Sequence, residues 1–153
     1  MLRPILISAA IALALAACHD EPPSPARQTE SSPAGASPTC PATEFDSFFK
    51  QFESDVAIQK AYTSVPLESS SIDPNAQPEP KAIIKRLSQS EITFPVIPGK
   101  DRQNKDGLKL KRTDVSPTEV TVQLSKPDTD YQMSFHFRSE GCWHLYRVED
   151  ESL

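Results

Sequence analysis

The hydrophobic period of this chain changes near residue 107, and that change limits the folds open to it. Before it, Phe45, Phe48, Phe49, Phe52 and Val56 recur at the spacing of one helical face, with Lys50, Gln51, Glu53 and Ser54 on the other side. After Gly107 the period is two. Leu108 and Leu110 alternate with Lys109 and Lys111, and Val120, Val122 and Leu124 alternate with Thr121 and Gln123. Tyr131, Met133, Phe135 and Phe137 alternate with Gln132, Ser134, His136 and Arg138, and Cys142 to Val148 forms a last strand carrying Trp143, Leu145, Tyr146 and Val148. Short turns at Asp114–Pro117, Lys126–Asp130 and Ser139–Gly141 favour neighbouring antiparallel strands. Helices first and strands afterwards predict an α+β domain. Its N-terminal amphipathic helix packs on a curved antiparallel sheet of about four to five strands.

Local signals fill in the rest. Thr43 is the expected N-cap, with Glu44 and Asp46 in the first turn where the helix dipole favours negative charge. The helix is expected to run to near Tyr62 and to stop by Val65, ahead of Pro66. Residues 64–80, with Ser69, Ser70 and Ser71 followed by Pro74, Pro78 and Pro80, read as a loop. A short helix is expected from Pro80 or Lys81, turning Ile83, Ile84 and Leu87 inward. Glu91–Ile97 reads as a short edge strand, because Pro95 cannot donate to a ladder, and Gly99–Gly107 as a polar turn.

Ahead of the domain, Arg3 and the apolar run Ile5–Ala17, broken only by Ser8, have the character of a secretory leader. The run is too short for a membrane-spanning helix, which needs roughly 20 apolar residues. It ends Leu15-Ala16-Ala17-Cys18, which resembles the lipobox of bacterial lipoproteins. That resemblance implies cleavage before Cys18 and lipidation of its thiol. Each buried methylene of an acyl chain contributes about 0.8 kcal/mol, so several chains hold a protein on its membrane. The position after the Cys is His19, with Asp20 following, and the sorting rule of such lipoproteins then favours the outer membrane, with the domain facing the periplasm. The expected organisation is a signal peptide over 1–17, a lipidated Cys18 with a Pro/Ser-rich tether to residue 39, and a globular domain over 40–153. Such a tether buries no core and, if extended, reaches roughly 60 Å at about 3 Å per residue.

Three cysteines follow the same logic. Cys18 is consumed by lipid, which leaves Cys40 and Cys142. In an oxidising compartment two remaining thiols favour one disulfide, the other reading being two separate buried thiols. The bond would pin the entrance of the first helix to the final strand. The formal charge is −5, and −6 once Arg3 leaves with the leader, so nothing suggests nucleic acid. The charge is unevenly placed. Residues 81–112 hold nine Lys/Arg against three Asp/Glu, and residues 113–153 three against eight. The basic block could face an anionic lipid, peptidoglycan or an acidic protein; its ordinary reading is a solvated loop and strand face.

The segments FDSFFKQFESDVAIQKAYTSVPL (45–67) and GCWHLYRVEDESL (141–153) resemble those of small secreted bacterial domains with a Phe-rich helix and a terminal Trp-x-Leu-x-x-Val strand. Their fold is similar to that of nuclear transport factor 2-like (NTF2-like), or cystatin-like, domains. The resemblance covers about residues 43–153 and implies a cone-like sheet. Enzymes on related scaffolds place acids or a His inside the cone, so the fold does not choose a function.

Candidate chemistry is sparse. His136 falls opposite the Tyr131/Met133/Phe135/Phe137 face and reads as a surface or hydrogen-bonded histidine before it reads as a base. His144 lies beside Trp143, and His19 belongs to the tether. Asp128 and Asp130 lack the further oxygen ligands and the Gly of a calcium loop, and Glu149–Glu151 reads as an acidic tail. No phosphate loop, Ser-His-Asp pattern or HExxH occurs, so no catalytic, cofactor or metal residues are assigned. The favoured expectation is a non-enzymatic, lipid-anchored binding module with a protein or envelope partner, in its sharpest form an immunity or inhibitor protein. The alternatives are an envelope-maintenance lipoprotein whose basic 81–112 region meets an anionic surface, and a small-molecule binder or enzyme using the cone interior.

Overall fold

A computed structural model describes residues 39–152. Cys18, the expected leader and the tether up to residue 38 lie outside the described residues. Thr39, the last residue assigned to the tether, is already held by the domain, its carbonyl accepting from the Tyr62 hydroxyl at 2.9 Å.

The Phe-rich segment forms α1 (Phe45–Ser54), which therefore begins about a third of the way along the chain. Phe45, Phe48, Phe49 and Phe52 are all buried, as their spacing predicts. Burial of such side chains contributes on the order of 1.5–3 kcal/mol each. The expected single helix to Tyr62 is instead broken. Ser54 Oγ bonds back to the Lys50 carbonyl at 2.8 Å, and Asp55 is extended. The Asp55 carboxylate then accepts from Ala57 N at 2.7 Å and caps α2 (Val56–Ala61). A Ser-Asp pair that satisfies the backbone locally outcompetes continuation of the helix. Val56, placed on the apolar stripe from its spacing, is exposed in consequence. Thr43 does not cap α1: Glu44 occupies that position, without a side-chain bond, and the Thr43 carbonyl accepts from Trp143 Nε1 at 2.8 Å.

Three further expectations change. Residues 64–80 are not all loop, because Thr63–Asp73 forms β1. Pro66 sits within the interval between Thr63 and Glu68 where β1 shifts register against its parallel neighbour, so its missing N–H falls at a break in regular pairing. Lys81–Leu87 is the strand β2, not a helix, and the adjacent Ile83 and Ile84 point to opposite faces and stay exposed. Short apolar runs do not distinguish helix from strand by period. The polar turn after Gly99 is the helix α3 (Lys100–Asp106), ended by Gly107 in the left-handed region at φ 73°. Its one buried residue, Gln103, bonds the Pro98 carbonyl at 2.6 Å, so no apolar stripe announces it.

The four alternating segments form β3 (Lys109–Ser116), β4 (Glu119–Ser125), β5 (Gln132–Glu140) and β6 (Cys142–Asp150), an antiparallel meander. Gly141, at φ 90°, makes the reversal between β5 and β6. Among the described residues the sheet has six strands in the order β2-β1-β6-β5-β4-β3, and β1 runs parallel to β6. The sheet is therefore mixed and larger than the four to five antiparallel strands expected. Between His136 and Phe137 the β5–β6 register shifts by one residue, leaving Tyr146 as the extra residue of a bulge, a device that bends and twists a sheet.

Glu91–Ile97 is irregular rather than a strand. It is held by a buried amide: Gln59 Oε1 accepts from Val96 N at 2.7 Å and from Ile97 N at 3.3 Å, while Nε2 donates to the Ile97 carbonyl at 3.0 Å. Replacing Gln59 with Leu keeps the volume but strands these backbone groups, at about 1–3 kcal/mol for each group left unsatisfied. The expected outcome is a loss of about 2–4 kcal/mol in urea unfolding, with faster amide exchange concentrated at 92–98. Unchanged exchange there would show that the segment is held by Ile92 and Ile97 alone.

Candidate functional site

The interior of the cone is the first place to look for chemistry, and it is full. Phe48, Phe52, Phe135, Phe137, Leu124, Leu145 and Ile97 are almost wholly excluded from solvent. The Phe137 ring lies 5.2–6.1 Å from the rings of Phe45, Phe48, Phe49 and Phe52, each contact edge-on. Among the described residues the buried polar ones are Gln59, Thr63, Ser70, Gln103 and Ser134, and none of these titrates.

Two open clefts flank Pro95. One, of about 540 Å³, is lined by Pro95, Pro98, Arg102, Asp106, Leu108, Lys126 and Tyr131. The other, of about 200 Å³, is mostly apolar and is lined by residues including Leu67, Leu87, Ile92, Val96 and Val148. Burial, reinforced by Asp150 and Asp106, pushes the Tyr131 phenol above its usual range. These clefts lie by the β4–β5 turn and the 92–98 segment. The Cys40–Cys142 pair, joined as a disulfide with Cα atoms 5.6 Å apart, lies by the β5–β6 turn at the other end of those strands.

The outer face of the sheet carries a polar row that crosses all six strands. The register aligns Arg86, Glu68, Arg147, His136, Thr121 and Thr113 in that order, from β2 to β3. Thr121 Oγ1 and His136 Nδ1 are 3.1 Å apart, and His136 Nε2 lies 2.9 Å from Glu149 Oε2. Arg147 pairs with the same Glu149 carboxylate, and its Nε is 3.3 Å from Glu68 Oε1 without hydrogen-bond alignment. His136 is thus where its alternation predicts, on the outer face. Glu149 belongs to β6 and not to an acidic tail.

A hydroxyl, a ring and a carboxylate in line have the connectivity of a nucleophile, base and orienter. The surroundings do not supply the rest. Thr121 lines neither of the Pro95 clefts, and β4 and β5 are paired on both sides, so their amides serve the sheet and leave no pair of donors for an oxyanion. Arg147 engages the same carboxylate, which makes the group an ionic cross-strand tie. Thr121, Arg147 and Glu68 were not singled out by sequence. Their proximity depends on the register of three strand pairs, one of them parallel.

His144 packs near the Tyr62 ring at 5.4 Å, and burial draws its pKa below the ordinary 6.5. Among the described residues no cluster of His, Cys, Asp and Glu is arranged to hold a metal ion, and no helix is long and apolar enough to cross a membrane. The basic block is divided by the fold. Lys81, Lys85 and Arg86 lie on β2, Lys100, Arg102 and Lys105 on α3, and Lys109, Lys111 and Arg112 on β3, so much of it lies on the two opposite edges of the sheet. Cations on edge strands discourage edge-to-edge association.

A helix pair leading into a curved mixed sheet, closed by a bulged terminal strand, matches a solved structure, an NTF2-like protein from Bacteroides fragilis NCTC 9343, with a TM-score of 0.54. The fold is NTF2-like. The match covers 72% of this chain at 18% identity, and the chain spans 47% of the length of that neighbour. No protein-family model matches the sequence, and no curated protein does. The NTF2-like fold serves enzymes and non-enzymes alike, so function rests on this chain's own surfaces.

Proposed function

We propose that this protein is a lipid-anchored, non-enzymatic binding module that faces the periplasm from the outer membrane, and that its task is to engage another protein, in the specific form of an immunity or inhibitor protein. The observation that carries this reading is the filled NTF2-like interior. Where related scaffolds hold an acid or a His inside the cone, this chain places Phe48, Phe52 and Phe137, and the remaining buried polar groups do not titrate. The leader and Leu15-Ala16-Ala17-Cys18 support the anchor, and a disulfide near the first described residues suits an oxidising compartment.

The test is a pulldown from solubilised envelopes with the native lipidated protein, read by mass spectrometry, with a Cys18→Ala chain as the unanchored control. A stoichiometric protein partner supports the binding reading, and protection against a toxic effector would make it an immunity protein. Absence of any partner in mild detergent would shift the function to the clefts beside Pro95. Failure of the wild-type chain to incorporate labelled palmitate would remove the anchor.

A further inference from the structure

Both edges of the sheet, β2 and β3, are exposed and each carries two large exposed apolar residues, Ile83 and Ile84 on one and Leu110 and Val115 on the other; they differ in how their arginine is held. Along β3, Arg112 is drawn onto α1, pairing with Asp46 and lying 5.0 Å over the Phe45 ring, while also bonding Asp114. Among the described residues β2 pairs only with β1, and all of its residues but Leu87 are exposed. Its outward backbone is that of an edge strand over seven residues, roughly 23 Å at about 3.3 Å per residue.

The side chains on this edge are equally uncommitted. Lys81, Lys85 and Arg86 make no ion pair among the described residues: Glu68, which faces Arg86 across the ladder, lies against Arg147, and Asp73, which faces Lys81, accepts from Asn75 N. Lys85 faces Ser69 across the ladder, and the Glu91 carboxylate bonds Ser88. Between the cations stand Ile83 and Ile84, 40% and 60% exposed, one on each face. An edge of this kind excludes a second copy of itself, since two β2 strands side by side would bring six cations into one seam. The same charges attract a strand of opposite sign.

We propose that β2 is a docking edge for an extended acidic segment of a partner protein, which adds as a seventh strand beside Lys81–Leu87. Main-chain bonds to the free edge would give affinity, carboxylates would meet Lys81, Lys85 and Arg86, and apolar side chains would cover Ile83 and Ile84. The inference rests on the binding-module reading and supplies its partner chemistry.

The test uses the full chain in mild detergent with a capped synthetic peptide of repeating Glu-Glu-Val-Val, which puts both residue types on each face of a strand, and a second of repeating Lys-Lys-Val-Val. Binding is read by fluorescence anisotropy at low and high salt, and its location by amide exchange. The expected result is salt-sensitive binding of the Glu peptide alone, with slowed exchange at 81–87. Reversing the charges in Lys81→Glu/Lys85→Glu/Arg86→Glu should weaken that peptide by about tenfold or more and admit the Lys peptide. Should the triple variant lose its far-UV signal, Lys85→Gln/Arg86→Gln serves with a smaller loss in the same direction. No binding, binding indifferent to these substitutions, or protection at 109–116 or on the outer face overturns the proposal. An envelope partner captured equally well by the charge-reversed chain would overturn it while leaving the binding-module reading intact.

Discussion

Replacing Phe137 with Ala is expected to destabilise the domain by about 4 kcal/mol, the middle of the range for truncating a fully buried Phe. The magnitude follows from position. Phe137 is wholly buried, and its ring is the one aromatic side chain of β5 that reaches all four phenylalanines of α1. Truncation removes the transfer energy of the ring and opens a cavity between α1 and the sheet, bounded by rings too rigid to collapse into it. Phe137→Leu, which fills most of the space, should cost well under half as much. Urea midpoints at constant slope read both. A cost for the Ala variant below about 1.5 kcal/mol would mean that α1 relaxes onto the sheet, and the interior would then be softer than its packing suggests.

Loss of the disulfide is the second large effect. Cys40 and Cys142 are 102 residues apart in sequence, so the bond restrains nearly the whole domain in the unfolded chain. The chain-entropy treatment gives about 4.7 kcal/mol for a loop of that size. Cys40→Ser/Cys142→Ser should therefore unfold at much lower urea than the oxidised chain, by about 4 kcal/mol. Two bonds keep the entrance of α1 docked without the disulfide, from Tyr62 to the Thr39 carbonyl and from Trp143 to the Thr43 carbonyl. The folded state should thus keep its fold, with the loss appearing in the unfolding midpoint and not in the circular dichroism of the native protein. A difference under about 1 kcal/mol would show that the unfolded chain is already compact enough for the cross-link to restrain little.

How much of this was legible in the sequence divides along a physical line. The Phe stripe of α1 and the alternation of β4, β5 and β6 were legible because each buries one face against the core, and burial imposes a period on the residues. β1, β2 and α3 were not. β1 is a Ser-rich central strand, held by backbone pairing to a neighbour on each side, and β2 is an edge with no buried face except at Leu87. α3 buries a glutamine rather than an apolar stripe. Elements whose place is fixed by main-chain partners or by one polar contact leave no hydrophobic signature. The break at Asp55 had a signal, a Ser-Asp pair able to cap a new helix, but the Phe period ran through it.

The candidate surfaces divide in the same way. His136 was placed on the outer face by alternation alone, yet its company of Thr121, Glu149 and Arg147 follows from register, which a strand's own residues do not encode. The basic run of 81–112 was plain as a count of charges, while its division between two opposite edges of the sheet was not, because residues near in sequence are separated by strand order. The sequence by itself determined an α+β domain with an aromatic interior, through periodicities that burial demands, and it raised the expectations of a leader, a lipid anchor and a Cys40–Cys142 bond. Only the tertiary structure decided that aromatic side chains fill the interior and that β2, among the described residues, has a neighbour on one side alone. Packing density and strand order arise from contacts between distant residues, and no local pattern in the chain records them.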